Sequence, residues 1–152
     1  MITNKNKGQL LFIITVVLLS YLLWLFFRPV KIIAIHQDKH FSDIMVNHFP
    51  LTNRGKIIWW QENKNILKSR YRVPEPASDG NFTINFWLFG EGYKEEGNSD
   101  RLCFEDIKTD KHCIEKDKAF TVHNSKNTGI FFTVDDGNYR MNKEGKIVKM
   151  RD

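Results

Sequence analysis

The side chains that could do chemistry in this sequence are five histidines, two cysteines and several adjacent acids. His36 and His40 are four residues apart, a spacing that brings two imidazoles onto one face only in a helix. The surrounding residues favour a strand and a turn instead, and no HExxH or comparable metal-binding frame occurs. We therefore expect no metal site, and we interpret the histidines as polar surface residues.

The adjacent acids Glu95-Glu96 and Asp135-Asp136 are the candidates for acid–base chemistry. Adjacent side chains in an extended strand point to opposite faces, so neither pair predicts a carboxylate dyad. The sequence also lacks the GxSxG nucleophile motif, the GxxxxGK[ST] phosphate loop and the GxGxxG dinucleotide motif. These absences predict a protein that is not an enzyme, with no catalytic residues and no cofactor.

The two cysteines, Cys103 and Cys113, are too few for a closed four-cysteine zinc site. A hairpin centred near Lys108 would place them directly opposite each other, at a spacing compatible with a disulfide. We predict this disulfide if the domain is exported, and two free thiols if it stays in the cytosol. Oxidation would also leave His112, beside Cys113, without thiolate partners for a metal.

The adjacent tryptophans Trp59 and Trp60 lie in a segment with helical spacing. One face of an amphipathic helix cannot bury both rings, so we expect one of them at an edge or on the surface. Exposed aromatic rings often mark a contact, which makes the pair our candidate for a protein-partner contact. The alternative is that large rings simply fill the core of a small domain.

The strongest structural signal in the sequence is an uncharged, apolar run of 18 residues, 10–27, with the sequence LLFIITVVLLSYLLWLFF. A helix of that length spans about 27 Å, close to the hydrocarbon thickness of a bilayer. The run ends in bulky residues before Arg28 and Pro29, where a cleaved signal peptide would need small ones. We predict an uncleaved transmembrane helix, with a cleaved signal and a buried core helix as the alternatives.

The orientation follows from the short segment before the helix. Residues 1–9 form a short tail, and a signal anchor followed by a folding domain usually exports that domain. We therefore expect a cytoplasmic tail over 1–9 and a periplasmic domain over 28–152, in the inner membrane of a bacterium. Basic residues flank the helix on both sides almost equally, so the positive-inside count barely discriminates.

The net charge of +5 comes mostly from these flanks. Residues 1–31 contribute +4, and residues 32–152 contribute only +1. A phosphate-binding face would need a dense basic cluster, so we expect no nucleic-acid partner. The 152-residue length is that of one domain besides the anchor.

The sequence patterns in the exported part predict a single α+β domain, with one or two helices packed on a mainly antiparallel sheet. An edge strand over 32–36 precedes a brief helix over 43–48 that Ser42 would cap. Thr52 would cap the longer helix that contains the tryptophans. From residue 82 the pattern has a period of two, typical of a central strand covered on one side by that helix. Further short strands are predicted over 101–107, 119–123, 130–134, 138–141 and 146–149, with turns at Asp136-Gly137 and Glu144-Gly145.

Several motifs together resemble those of a family of enterobacterial membrane proteins catalogued as a domain of unknown function. They are Arg28-Pro29-Val30, His36-Gln37-Asp38, Phe41-Ser42-Asp43, Gly55-Lys56-Ile57, Trp59-Trp60, Phe86-Trp87, Gly92-Tyr93-Lys94-Glu95-Glu96-Gly97, Arg101-Leu102-Cys103-Phe104 and Phe132-Thr133-Val134-Asp135-Asp136-Gly137. The resemblance covers nearly the whole chain. It implies an inner-membrane anchor with a periplasmic domain, and it brings no catalytic residue, cofactor or substrate.

Two functional hypotheses follow. The first is a periplasmic domain that binds a protein, for example to neutralise a toxin in the envelope, an immunity-like role suggested by association with such loci. The second is an envelope sensor or a small-ligand-binding domain without catalysis. A sensor needs an output on the cytoplasmic side, and the nine-residue tail is too short to fold into one. We therefore prefer the protein-binding hypothesis.

Overall fold

The computed structural model describes residues 3–151. Two helices and two sheets make up the described chain, and the α+β class with a mainly antiparallel sheet is confirmed. The helices are α1 (Asn4–Phe27) and α2 (Asn53–Tyr71). The strands are β1 (Lys31–Asp38), β2 (Phe41–Asn47), β3 (Phe82–Leu88), β4 (Lys94–Glu95), β5 (Arg101–Cys103), β6 (Lys111–Glu115), β7 (Lys118–Ser125), β8 (Gly129–Val134), β9 (Gly137–Met141) and β10 (Ile147–Lys149).

Helix α1 contains the whole predicted span of 10–27 and begins six residues earlier. None of its residues is buried, and its most apolar window has a mean hydropathy of 2.7. By length and composition it is long and apolar enough to cross a membrane. Arg28 follows the helix in extended conformation, Pro29 cannot continue it, and β1 starts two residues after Pro29.

Helix α2 begins and ends at local signals. The Thr52 side chain caps it by accepting a hydrogen bond from the Gly55 amide at 3.0 Å. A Cβ on Gly55 would stand 2.7 Å from that Thr52 oxygen, so the close cap requires glycine. Arg72 ends the helix in the left-handed region, with its N–H directed to the Leu67 and Lys68 carbonyls.

The main sheet has seven strands in the order β1-β2-β3-β7-β8-β9-β10. Only β2 and β3 run parallel, because α2 connects them as a crossover. As predicted, β1 is an edge strand and β3 is central. The expected turns at Asp136-Gly137 and Glu144-Gly145 connect β8 to β9 and β9 to β10.

The predicted helix over 43–48, with Ser42 as its cap, is wrong. Residues 41–47 form β2, which pairs with β1 on one side and β3 on the other. Its central residues Ile44, Met45 and Val46 are fully buried, on both faces of the sheet. A segment this short gains little as a helix, and the two rows of strand hydrogen bonds outweigh its local capping signal.

A second, smaller sheet has the order β4-β6-β5 and covers part of the other face of the main sheet. The predicted strand over 101–107 is only three residues long in the structure, and the loop to β6 covers 104–110. Trp87 and Met45 from the main sheet pack there against Phe104 and Ile114. The larger core lies on the opposite face, under α2.

Candidate functional site

A cleft of about 510 Å³ opens where the far end of β1 meets the loop after β5. At 3.3 Å per residue, the end of β1 lies about 23 Å along the strand from its start beside α1. The cleft is therefore at the end of the domain away from the apolar helix. Its lining residues are His36, Gln37, Asp38, Phe41, Asp43, Cys103, Phe104, Glu105 and Asp106.

His36 is the most connected side chain of this cleft. Its Nδ1 lies 2.6 Å from Asp106 Oδ2, and its Nε2 lies 2.7 Å from the Tyr93 hydroxyl. Its ring stacks on Phe104 at 3.9 Å between centroids. The side chain is only 11% exposed, so the interpretation of all histidines as surface residues is wrong for His36.

The order Asp106–His36–Tyr93 has the connectivity of a carboxylate–histidine–hydroxyl relay. A carboxylate accepts only, so Nδ1–H donates to Asp106, while Nε2 shares a second hydrogen bond with the Tyr93 hydroxyl. Burial and the nearby Asp106 charge raise the pKa of Tyr93 above its ordinary value. Through these two hydrogen bonds the cluster ties the loops around the small sheet to β1, and we call it the clasp.

The sequence patterns did not predict the clasp. His36 is separated from Tyr93 by 57 residues and from Asp106 by 70. No spacing rule connects residues that far apart, and each lies in an ordinary strand or loop context. His36 lies on an edge strand, where exposure is the usual expectation. It is mostly buried here because residues of the small sheet and its loops cover it.

The carboxylates of the cleft divide into paired and unpaired groups. Asp43 accepts from Trp87 Nε1 at 2.7 Å and from Asn85 Nδ2 at 3.1 Å. Asp38 and Glu105 form no ion pair within residues 3–151. No lysine or arginine lines the cleft, so its potential is negative.

Cys103 and Cys113 are directly opposite each other in the β5–β6 pairing, with Cα atoms 4.0 Å apart. Their sulfur atoms lie at disulfide distance. His112 brings a third potential ligand atom within 4.8 Å of both sulfurs. A metal would need both thiolates, which a disulfide consumes, and His112 Nδ1 already faces the Thr109 and Asp110 carbonyls.

The adjacent acids have separate surroundings. Asp135 lies 3.7 Å from the buried Lys56 ammonium, whereas Asp136 accepts from Tyr139 and Asn53 at 2.9 Å. Glu95-Glu96 is exposed at the start of the small sheet. The side chains of each pair thus serve different partners or solvent rather than one shared site.

The structure separates the two tryptophans. Trp60 is 3% exposed and packs edge-on against Phe132 in the larger core. Trp59 is half-buried, packs against Phe49 and Phe86, and is the one that reaches a surface. A contact with a protein partner therefore stays a prediction for Trp59 only, because Trp60 lies in the core.

Trp59 opens onto a second concavity, which we call the exit groove. It has a volume of about 870 Å³ and runs from the end of α1 along the outer side of α2. Its lining residues are Phe26, Phe27, Arg28, Pro29, Val30, Lys31, Ile32, Pro50, Gly55, Ile58, Trp59, Glu62, Asn63, Ile66, Arg70 and Tyr71.

Comparison with known proteins identifies a family without an assigned activity. Residues 3–151 match the family described as "Enterobacterial putative membrane protein (DUF943)", a domain of unknown function. No curated protein and no solved structure matches the chain. The family match covers nearly every residue and agrees with the apolar helix α1. The chain belongs to this family of enterobacterial membrane proteins.

Proposed function

We propose that the protein is anchored by α1 in the bacterial inner membrane and that its periplasmic domain binds another protein. The tail before residue 10 lies in the cytoplasm in this proposal. An enterobacterial membrane family and one apolar helix support the anchor. A cysteine pair at disulfide distance supports an oxidising compartment for the domain.

The observation that carries the proposal is the acidic cleft at the end of the domain away from α1. Asp38 and Glu105 line it without an ion-pair partner among the described residues, and Phe41 beside them is 49% exposed. An aromatic ring next to unpaired charge is the composition of a protein contact rather than of a folded core. The negative lining favours a partner that brings a lysine or arginine to these carboxylates.

The surroundings of the cleft are held in place before any partner arrives. The Cys103–Cys113 pair closes the hairpin on one side, and the clasp from His36 to Asp106 and Tyr93 holds the loops around it. A preorganised surface loses less conformational entropy on binding.

A photo-crosslinking amino acid at position 41 of the full-length protein tests this proposal in living cells. We expect a crosslinked partner of defined mass. Asp38→Asn and Glu105→Gln should each reduce its yield, and together by about tenfold or more, because the inserted cation loses both carboxylates. Glu96→Gln is the control, since Glu96 is exposed outside the cleft.

Trp59→Ala, with the photo-crosslinking amino acid moved to position 63 in the exit groove, tests the alternative contact. If Trp59 anchors the partner, capture should fall about tenfold or more while the cleft variants retain it. That outcome would move the contact to the exit groove. Unchanged capture in every variant would remove both surfaces from the proposal.

The size of the cleft favours a second candidate function, a small-ligand-binding domain without catalysis. Its volume falls within the range of about 300–1,000 Å³ that small-molecule sites occupy. Saturable binding of a small cationic molecule, combined with an absence of protein crosslinks, would replace the first proposal by this one. An immunity-like role is the form of the first proposal in which the partner is an envelope toxin, and protection from that toxin would test it.

A further inference from the structure

The exit groove exposes apolar side chains that a soluble helix would replace by polar ones. Ile58 and Ile66, two turns apart on α2, are 37% and 52% exposed. They share the groove with Phe26 and Phe27, the last two residues of α1, which are 66% and 81% exposed. The apolar surface of the candidate span therefore continues onto the folded domain.

Positive charge is concentrated in the segment of the chain that carries Ile58 and Ile66. Residues 53–72, helix α2 with its cap, carry six basic residues and one acid, a net charge of +5. Residues 73–152 carry 12 basic and 15 acidic residues, a net charge of −3. The net charge of the domain is therefore close to zero although helix α2, next to α1, is basic. A basic helix with exposed apolar residues is typical of a surface that meets anionic lipid.

Arg28 is the residue whose environment points to a ligand. Its Nε is buried and has no hydrogen-bond partner within residues 3–151, and its guanidinium lies 5.1 Å from the Trp24 ring centroid. An unpaired cation at the end of an apolar helix is costly unless an anion reaches it. Three basic residues, Arg28, Lys31 and Arg70, line the groove against the single acid Glu62.

We propose that the exit groove binds an anionic phospholipid, with one acyl chain against Ile58 and Ile66 and the phosphate at Arg28. Only three residues separate α1 from β1, so the groove begins where the hydrocarbon core would end. Lipid is therefore present at its mouth at high local concentration. A second copy is a poorer occupant, because it would bring another segment 53–72 of net charge +5 against the first.

The test uses the full-length protein in nanodiscs that contain phosphatidylglycerol with a photoreactive group on one acyl chain. We expect labelling of the α2 peptide around Ile66 as well as of α1. Ile66→Glu should reduce α2 labelling by about fivefold or more, because a carboxylate disfavours an apolar chain. Ile130→Glu is the matched control, an exposed isoleucine on β8 that should leave labelling unchanged.

Nanodiscs of phosphatidylcholine distinguish the headgroup from the chain. α2 labelling should be weaker there, and Arg28→Gln should reduce the difference between the two lipids. Labelling confined to α1, or α2 labelling that Ile66→Glu leaves intact in a folded protein, would overturn the proposal. So would an α2–α2 crosslink between two copies. Capture of a protein at position 41 is read independently, so failure here leaves the function proposed for the cleft untouched.

Discussion

At the scale of single residues, the pairing of Cys103 with Cys113 was predicted although the length of the strand that carries Cys103 was not. The sequence predicted a strand that continues to residue 107, whereas the structure has a seven-residue loop over 104–110. Both arrangements place the two cysteines opposite each other, because the strand pairing is centred on residue 108 in each. Pairing register therefore decides whether the sulfur atoms meet, and loop shape does not.

Cys103→Ser should lower the free energy of unfolding by about 2–3 kcal/mol, since an 11-residue loop is no longer closed in the unfolded chain. Chemical denaturation of the full-length protein in detergent measures this, with a reduced wild-type sample as the control. Freshly isolated protein should also resist alkylation until reductant is added. Immediate alkylation of both cysteines would show free thiols and contradict export to an oxidising compartment.

His123 is a second residue whose environment makes a measurable prediction. Burial and the nearby Lys118 ammonium lower the pKa of His123 below its ordinary value of 6.5. The unfolded chain then binds more protons than the folded one just below pH 6.5, so stability is retained above that pH and lost as the pH falls. The ring stacks on Phe131 at 4.7 Å, which keeps it in this environment.

The melting temperature of the full-length protein should therefore fall between pH 7.5 and pH 5, and His123→Gln should reduce that fall. The shifted acids Glu91 and Glu115 act only below their ordinary pKa of 4.5, outside this interval. His48→Asn, at an exposed position, is the control and should keep the pH dependence of the wild type. An equal fall with His123→Gln would assign the effect to another group.

At the scale of elements, α2 gives a direct comparison between neighbouring positions. Leu67 is 1% exposed in the larger core, whereas Ile66 beside it is 52% exposed in the exit groove. Leu67→Ala should lower the free energy of unfolding by about 2–5 kcal/mol, because it removes buried methyl groups and leaves a cavity. Ile66→Ala should change it by less than about 0.5 kcal/mol. Similar losses for both variants in detergent would mean that the outer side of α2 is also packed.

The elements also show where sequence patterns succeed and fail. Helix α2 has its cap at Thr52 and its apolar spacing within one segment, so its start and its type were predicted correctly. Strand β3 was predicted from its apolar pattern with a period of two, and it is seven residues long. Strand β2 has Ser42 in a capping position and no clear alternation, and only its two neighbouring strands make it extended.

At the scale of the whole molecule, the proposed topology makes a prediction of its own. The full-length chain should remain in the inner-membrane fraction without loss of residues, because the bulky end of α1 is a poor cleavage site. Alkaline phosphatase fused after residue 152 should be active, since that enzyme needs an oxidising compartment, and a fluorescent cytoplasmic reporter at the same point should stay dark. Deletion of 10–27 is the control and should abolish phosphatase activity. The reverse pattern of reporters would place the domain in the cytoplasm.

Local sequence patterns were enough to predict the apolar helix, the start of α2, the central strand β3 and the register of the two cysteines. Each of these depends on a period, a cap or a spacing within about 20 consecutive residues. Tertiary structure decided that β2 is a strand, that His36 joins Tyr93 and Asp106, and that Trp60 rather than Trp59 is buried. The physical reason is that these features depend on hydrogen bonds and burial between segments far apart in the chain, which compete with local preference and, here, outweigh it.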